Sequence, residues 1–192
     1  RSILRFGHRV LHPGTLRPSV PKGNISADFG LPSRLKMARQ NLSFDSVAHA
    51  SGLTDGSTVL HLERKHSHVP RLDTVERVAY GLGLSPAFLA YGIESDGNQP
   101  TEGLRCEGVA LRLRQTRIHL GLSVLALATA AGLSHTAVGN VERGTMPTIA
   151  TAEALATALG VSPGWLAYGL EPMALPGRRR VGASLAQAPA TS

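Results

Sequence analysis

Side chains able to do chemistry are few in this sequence, and their spacing speaks against catalysis. His61, His66 and His68 stand close together, and histidine is a common zinc ligand. No Cys or carboxylate completes a metal-binding spacing around them, so they read as exposed histidines, with His66 and His68 in an insertion loop. The single cysteine, Cys106, has no partner for an internal disulfide and no nearby His in a pairing pattern. There is no phosphate-binding glycine loop and no nucleophile with a partnered base, which leaves an enzyme, a metal or another cofactor without support. What remains is the run Ser134 to Arg143. On a helix, Val138 and Val141 turn inward three residues apart, while His135, Thr136, Ala137 and Asn140 lie toward the outside.

The surrounding sequence supplies the elements that hold this face in place. Val109 to Leu120, free of Pro and interior Gly and bounded by Gly108 and Gly121, predicts a first helix. Ser123 is an N-cap for a short second helix that ends before Gly132, with Ala128, Ala130 and Ala131 small enough for close packing. Ser134 caps the third helix, so two short helices meet across a glycine turn. A fourth helix is expected from about Thr148 to Leu159, stopping at Gly160, and Ser162-Pro163 starts a fifth that ends at Gly169.

The same pattern occurs twice. Gly81-Leu-Gly-Leu-Ser-Pro-Ala-Phe-Leu-Ala-Tyr-Gly-Ile-Glu94 returns as Ala158-Leu-Gly-Val-Ser-Pro-Gly-Trp-Leu-Ala-Tyr-Gly-Leu-Glu171. Upstream, Leu42-Ser43, Ala48, Ala50, Gly52-Leu53 and Glu63-Arg64 match Leu122-Ser123, Ala128, Ala130, Gly132-Leu133 and Glu142-Arg143. The first copy lacks two residues between Arg39 and Leu42, gains one around Asp55-Gly56 and gains two before Pro70. All three changes fall at helix ends or connections, where length is tolerated. The reading is therefore all-α: a basic N-terminal tail at 1–30, a five-helix domain at 31–94, a polar linker at 95–107, a second five-helix domain at 108–171 and a basic C-terminal tail at 172–192. Both tails, rich in Pro or in Ala, Pro, Ser and Arg, read as disordered.

These residues resemble the phage repressor and Cro (XRE-type) helix-turn-helix family. The pattern Leu122-Ser123-(x)4-Ala128-(x)3-Gly132-Leu133-Ser134-(x)7-Glu142-Arg143-Gly144, followed by Ala158 to Leu166, carries the resemblance, and both copies share it. It implies double-stranded DNA as partner, with the helix after the glycine turn in the major groove. In the second copy the implied contacts are His135, Thr136, Ala137 and Asn140 toward the bases, with Ser134 at the helix start. Ser123 and Val124 fall near the phosphates. Asn140 is the strongest candidate, since its amide can pair bidentately with adenine for roughly 1–3 kcal/mol of discrimination. Arg114 and Arg143 suit phosphate oxygens. Arg117 and Glu142, and again Arg39 and Glu63, fall where the family often ties its first helix to the recognition helix. In the first copy the implied contacts are Ser43, Ser57, Thr58, His61 and Arg64, with the register across Asp55-Gly56 left open.

Charge distribution fits such a partner without demanding it. The net charge is +7. Residues 1–28 hold a net +4 and residues 173–192 a net +3, so the middle is balanced. Apolar residues make up 42% and aromatics 4%, enough for helical cores of Leu, Val and Ala. No apolar run is long enough to span a membrane, and residues 1–30 lack the features of a secretory signal, so the expected location is cytoplasmic or nucleoid-associated. Two functions compete: a repressor-like regulator, with the repeats as an intrachain pseudo-dimer or self-associating, and a protein-interaction module such as an antitoxin or adaptor. Tyr91, Tyr168 and Trp165 read as core or interface residues.

Overall fold

The computed structural model describes residues 30–64, 69–95, 103–170 and 173. The expected disordered tails, apart from Gly30 and Met173, lie outside the described residues, as do His66 and His68. The described residues form ten α-helices and one 3-10 helix. The first five are α1 (Leu31–Arg39), α2 (Phe44–Ala50), α3 (Ser57–Glu63), α4 (Leu72–Gly81) and α5 (Pro86–Tyr91). After the 3-10 helix Arg105–Gly108 come α6 (Val109–His119), α7 (Val124–Ala131), α8 (His135–Glu142), α9 (Ile149–Leu159) and α10 (Pro163–Tyr168).

Local chemistry sets these boundaries. The side chains of Ser123, Ser134 and Thr148 accept from the backbone N–H of Ala126, Ala137 and Thr151 at 3.0–3.2 Å. Each such cap is worth about 1 kcal/mol. The turn between α7 and α8 closes on Gly132 at φ 65°, and that between α2 and α3 on Gly52 at φ 67°, a conformation that costs glycine little. Leu35, Val47, Val59, Leu72 and Val75 fill the core of the first copy, and Leu113, Leu127, Val138, Leu155 and Leu166 that of the second. Leu111 and Ile118, taken with the apolar pattern of the first helix of the second copy, point outward instead, at 60% and 58% exposure.

A half-buried charge occupies the inward face of α6. Arg112 sits between Val109 and Leu113, and its Nε and Nη2 donate to the carbonyls of Leu166 and Ala167 at 2.8 and 2.7 Å. Arg34 repeats this in the first copy, donating to Leu89 O at 3.0 Å and Ala90 O at 2.7 Å. These carbonyls belong to the last turns of α10 and α5, where backbone acceptors lack helical partners and the helix dipole is negative. Burial lowers the pKa of both guanidinium groups, though an arginine remains charged in such a setting.

The two copies pack directly on one another through α5 and α10. Leu72 N–H donates to Pro147 O at 3.1 Å and Ile149 N–H to Pro70 O at 2.9 Å. The Tyr91 hydroxyl donates to Ile149 O at 3.2 Å and the Tyr168 hydroxyl to Leu72 O at 3.5 Å. Pro70, Leu72 and Tyr91 are the repeat equivalents of Pro147, Ile149 and Tyr168. Exchanging the copies therefore turns each bond into its partner, the signature of a twofold, self-complementary contact. The tyrosine rings lie 6.4 Å apart at a tilt of 47°, a favourable aromatic geometry. Cys106 and Arg105, within the expected linker, belong to this packed body. Their backbone N–H groups donate to the fully buried Glu76 of α4 at 2.9 and 2.7 Å, and the Tyr80 hydroxyl donates to the same carboxylate at 2.8 Å. Burial, reinforced by Glu76, raises the pKa of the Cys106 thiol.

Candidate nucleic-acid interface

The exposed face of α8 is assembled by three neighbours. α7 lies against it across the Gly132 turn, and Val138 and Val141, 0% and 4% exposed, anchor it on the core. The third support comes from α6. Arg117 Nε and Nη2 contact Glu142 Oε1 and Oε2 at 2.5 and 3.0 Å, and Arg117 Nη1 donates to Leu122 O at 2.8 Å. One guanidinium thus fixes the C-terminal end of α8 and the entrance to α7. The carboxylate of Glu142 also raises the Arg117 pKa. Arg39 forms the equivalent fork on Glu63 and stacks over the Phe44 ring at 4.2 Å, a cation–π contact. Both ion pairs join the helices that the sequence singled out.

On the face so held, Ser134, His135 and Thr136 are exposed, and Ala137 and Asn140 are half-buried. Arg143 is exposed, and its Nη2 donates to Asn140 Oδ1 at 2.6 Å. Ser123 is exposed at the N-cap of α7, beside a half-buried Val124 that packs against the core. Arg114 is exposed on α6. The proposed contact residues of the second copy thus gather at α8 and the N-terminus of α7. Val124 and Ala137 are the members whose side chains carry no hydrogen-bonding group.

In the first copy the register across Asp55-Gly56 is set by the core. Val59 and Leu62, 0% and 7% exposed, take the places of Val138 and Val141. That alignment puts Ser57, Thr58, His61 and Arg64 opposite Thr136, Ala137, Asn140 and Arg143, and Gly56 opposite His135. Ser43, Ser57, His61 and Arg64 are exposed and Thr58 is half-buried. The resemblance between the two faces ends at their N-terminal edges. Asp55 Oδ1 accepts from the Ser57 N–H at 2.8 Å and from its hydroxyl, and these bonds hold the Asp55 carboxyl below its usual pKa. Asp45 Oδ1 accepts from the Gly56 N–H at 2.9 Å.

Sequence reasoning passed over Asp45, Asp55, Arg34 and Arg112. A signal for the arginines was available, because each occupies an inward helical position next to a buried leucine and recurs at the same place in both copies.

Residues 113–166 match the family model for helix-turn-helix proteins, HTH_3. The match runs from within α6 to within α10 and includes the whole of α7, α8 and α9. No curated protein and no solved structure matches the chain. Among the described residues no single helix is long and apolar enough to cross a membrane.

Proposed function

We propose that this chain, which matches a helix-turn-helix family model over residues 113–166, is a sequence-specific transcriptional regulator of repressor type that reads double-stranded DNA in the major groove. The observation that carries the proposal is the outer face of α8. It offers an imidazole, a hydroxyl, an amide and a guanidinium with no carboxylate among them, on a helix pinned at both ends. Such a face can donate and accept hydrogen bonds at base edges while Arg143 and Arg114 meet phosphates. The twofold contact between the copies places two similar helix sets in one chain, as a dimer would from two chains. Basic residues in the tails add sequence-independent attraction and steepen the salt dependence of binding.

The test is selection of bound duplexes from a random pool, with the chain intact and with Asn140→Ala. Enrichment of a motif that Asn140→Ala blurs supports the reading. Weak, uniform binding that enriches nothing removes it. A protein-interaction module is the second reading, favoured by the exposed Leu111, Ile118 and Leu125, at 60%, 58% and 62%, on α6 and α7. A small protein that copurifies stoichiometrically would support it.

A further inference from the structure

The two copies share a fold but differ at the edge where a helix-turn-helix would meet DNA. His135 opens α8 as an exposed side chain, whereas its equivalent, Gly56, is buried. A Cβ placed on Gly56 would come within 2.5 Å of Asp45 Oδ1, 2.8 Å of Asp45 N and 2.8 Å of Phe44 Cβ. No side chain fits there, so the first contact position of α3 is absent by packing as well as by sequence. The Asp45 carboxylate that covers it stands where the second copy has Leu125. Asp55 stands where the second copy has the neutral cap Ser134. Each carboxylate is held in place by a backbone N–H of the α2–α3 turn, Gly56 for Asp45 and Ser57 for Asp55. Both would face the phosphate backbone, adding like-charge repulsion in place of counterion release.

We infer that DNA reading is confined to the second copy, through His135, Thr136, Asn140 and Arg143, and that Gly56, Asp45 and Asp55 close the corresponding face of the first. The inference rests on the DNA-binding reading above and makes it more specific. The first copy then serves as a covalent packing partner. Its α5 and the start of its α4 brace α10 and α9, and α3 makes no base contact. The chain selects one half-site, without the palindrome that two equivalent readers would require.

The experiment is the same duplex selection with the full chain, followed by affinity measurements on the selected duplex. A single asymmetric motif is expected, with at least tenfold weaker binding for Asn140→Ala and less than twofold change for Ser57→Ala and His61→Ala. Asp45→Asn combined with Asp55→Ser is expected to tighten binding to random duplex at low salt by severalfold and to steepen its salt dependence. A palindromic motif whose two halves respond to Asn140→Ala and His61→Ala alike would overturn the inference while leaving the DNA reading intact. Unchanged binding by the aspartate double variant would also count against it. Enrichment of no motif would remove the DNA reading itself.

Discussion

Arg143 folds back along α8 to donate to Asn140 Oδ1 at 2.6 Å. The residue that makes room for it is Gly139, where a Cβ would stand 3.2 Å from Arg143 Nη1. Two of the most important candidates for DNA contact are thus paired to each other before DNA arrives. Between exposed groups such a bond is worth well under its vacuum strength, so exchanging it for base and phosphate contacts costs little. It does hold the amide in one rotamer, reducing the entropy lost on binding.

Gly139→Ala is expected to separate stability from recognition. Alanine in place of a mid-helix glycine stabilises a helix by about 1 kcal/mol. The atom it crowds is the far end of an exposed, mobile side chain, which can move away. Thermal unfolding should show a rise of a few degrees. Affinity for the selected duplex should change as Arg143 loses its resting place. A lower melting temperature would mean that Arg143 is fixed more firmly than this geometry implies.

Glu142→Ala should destabilise the second copy by about 2–3 kcal/mol. The carboxylate accepts two bonds from Arg117, and both side chains are only 12% exposed. Removing it leaves a largely buried guanidinium with only the Leu122 carbonyl. Glu142→Gln, which keeps one acceptor, should cost less than Glu142→Ala. Chemical denaturation with a common slope measures both. Equal losses would show that the fork carries no charge-dependent energy.

Much of this architecture was legible because its determinants are local. Ser123, Ser134 and Gly132 announce helix ends through their own backbone chemistry, and the repeated Leu-Ala-Tyr-Gly of α5 and α10 marks the second copy without a structure. The Arg117–Glu142 and Arg39–Glu63 pairs followed from family resemblance. Features set by long-range packing were not legible. Whether Asp45 lies over Gly56 depends on how α2 and α3 meet, and the spacing of an extra residue cannot say which positions the core will align. The inward position of Arg112 could be read from its helix, but not its partners, because the carbonyls of Leu166 and Ala167 are distant in sequence. The twofold contact depends on backbone groups such as Pro70 O and Ile149 N, which carry no side-chain signature at all.

Arg112→Met should cost about 2–4 kcal/mol, whereas Arg114→Met, one helical face away, should remain within about 0.5 kcal/mol of the unaltered chain. Methionine preserves most of the volume but leaves the carbonyls of Leu166, Ala167 and Arg105 without the donors that now reach them. Denaturation of the two variants side by side checks the contrast. Similar small losses would show that water replaces the guanidinium at the end of α10.

Gly164→Leu is expected to part the two copies without unfolding either. Gly164 is buried at the contact between α10 and α5, and a Cβ there would fall 2.9 Å from the Ala87 Cβ and 3.6 Å from Ile93 Cδ1. The Ile93 methyl can turn aside, but the Ala87 Cβ is fixed to its backbone, so a leucine must push α5 and α10 apart. The bonds from Tyr91 to Ile149 O and from Tyr168 to Leu72 O would then be lost together. Within each copy, Arg34 and Arg112 still hold the fifth helix to the first, so helicity should persist. Circular dichroism should therefore change little, while small-angle scattering shows a larger radius of gyration and thermal unfolding broadens or splits into two steps. If DNA contact resides in the second copy alone, this variant should still bind the selected half-site within a few-fold of the unaltered chain. A loss of tenfold or more at retained helicity would show that the contact between the copies shapes the reading face itself.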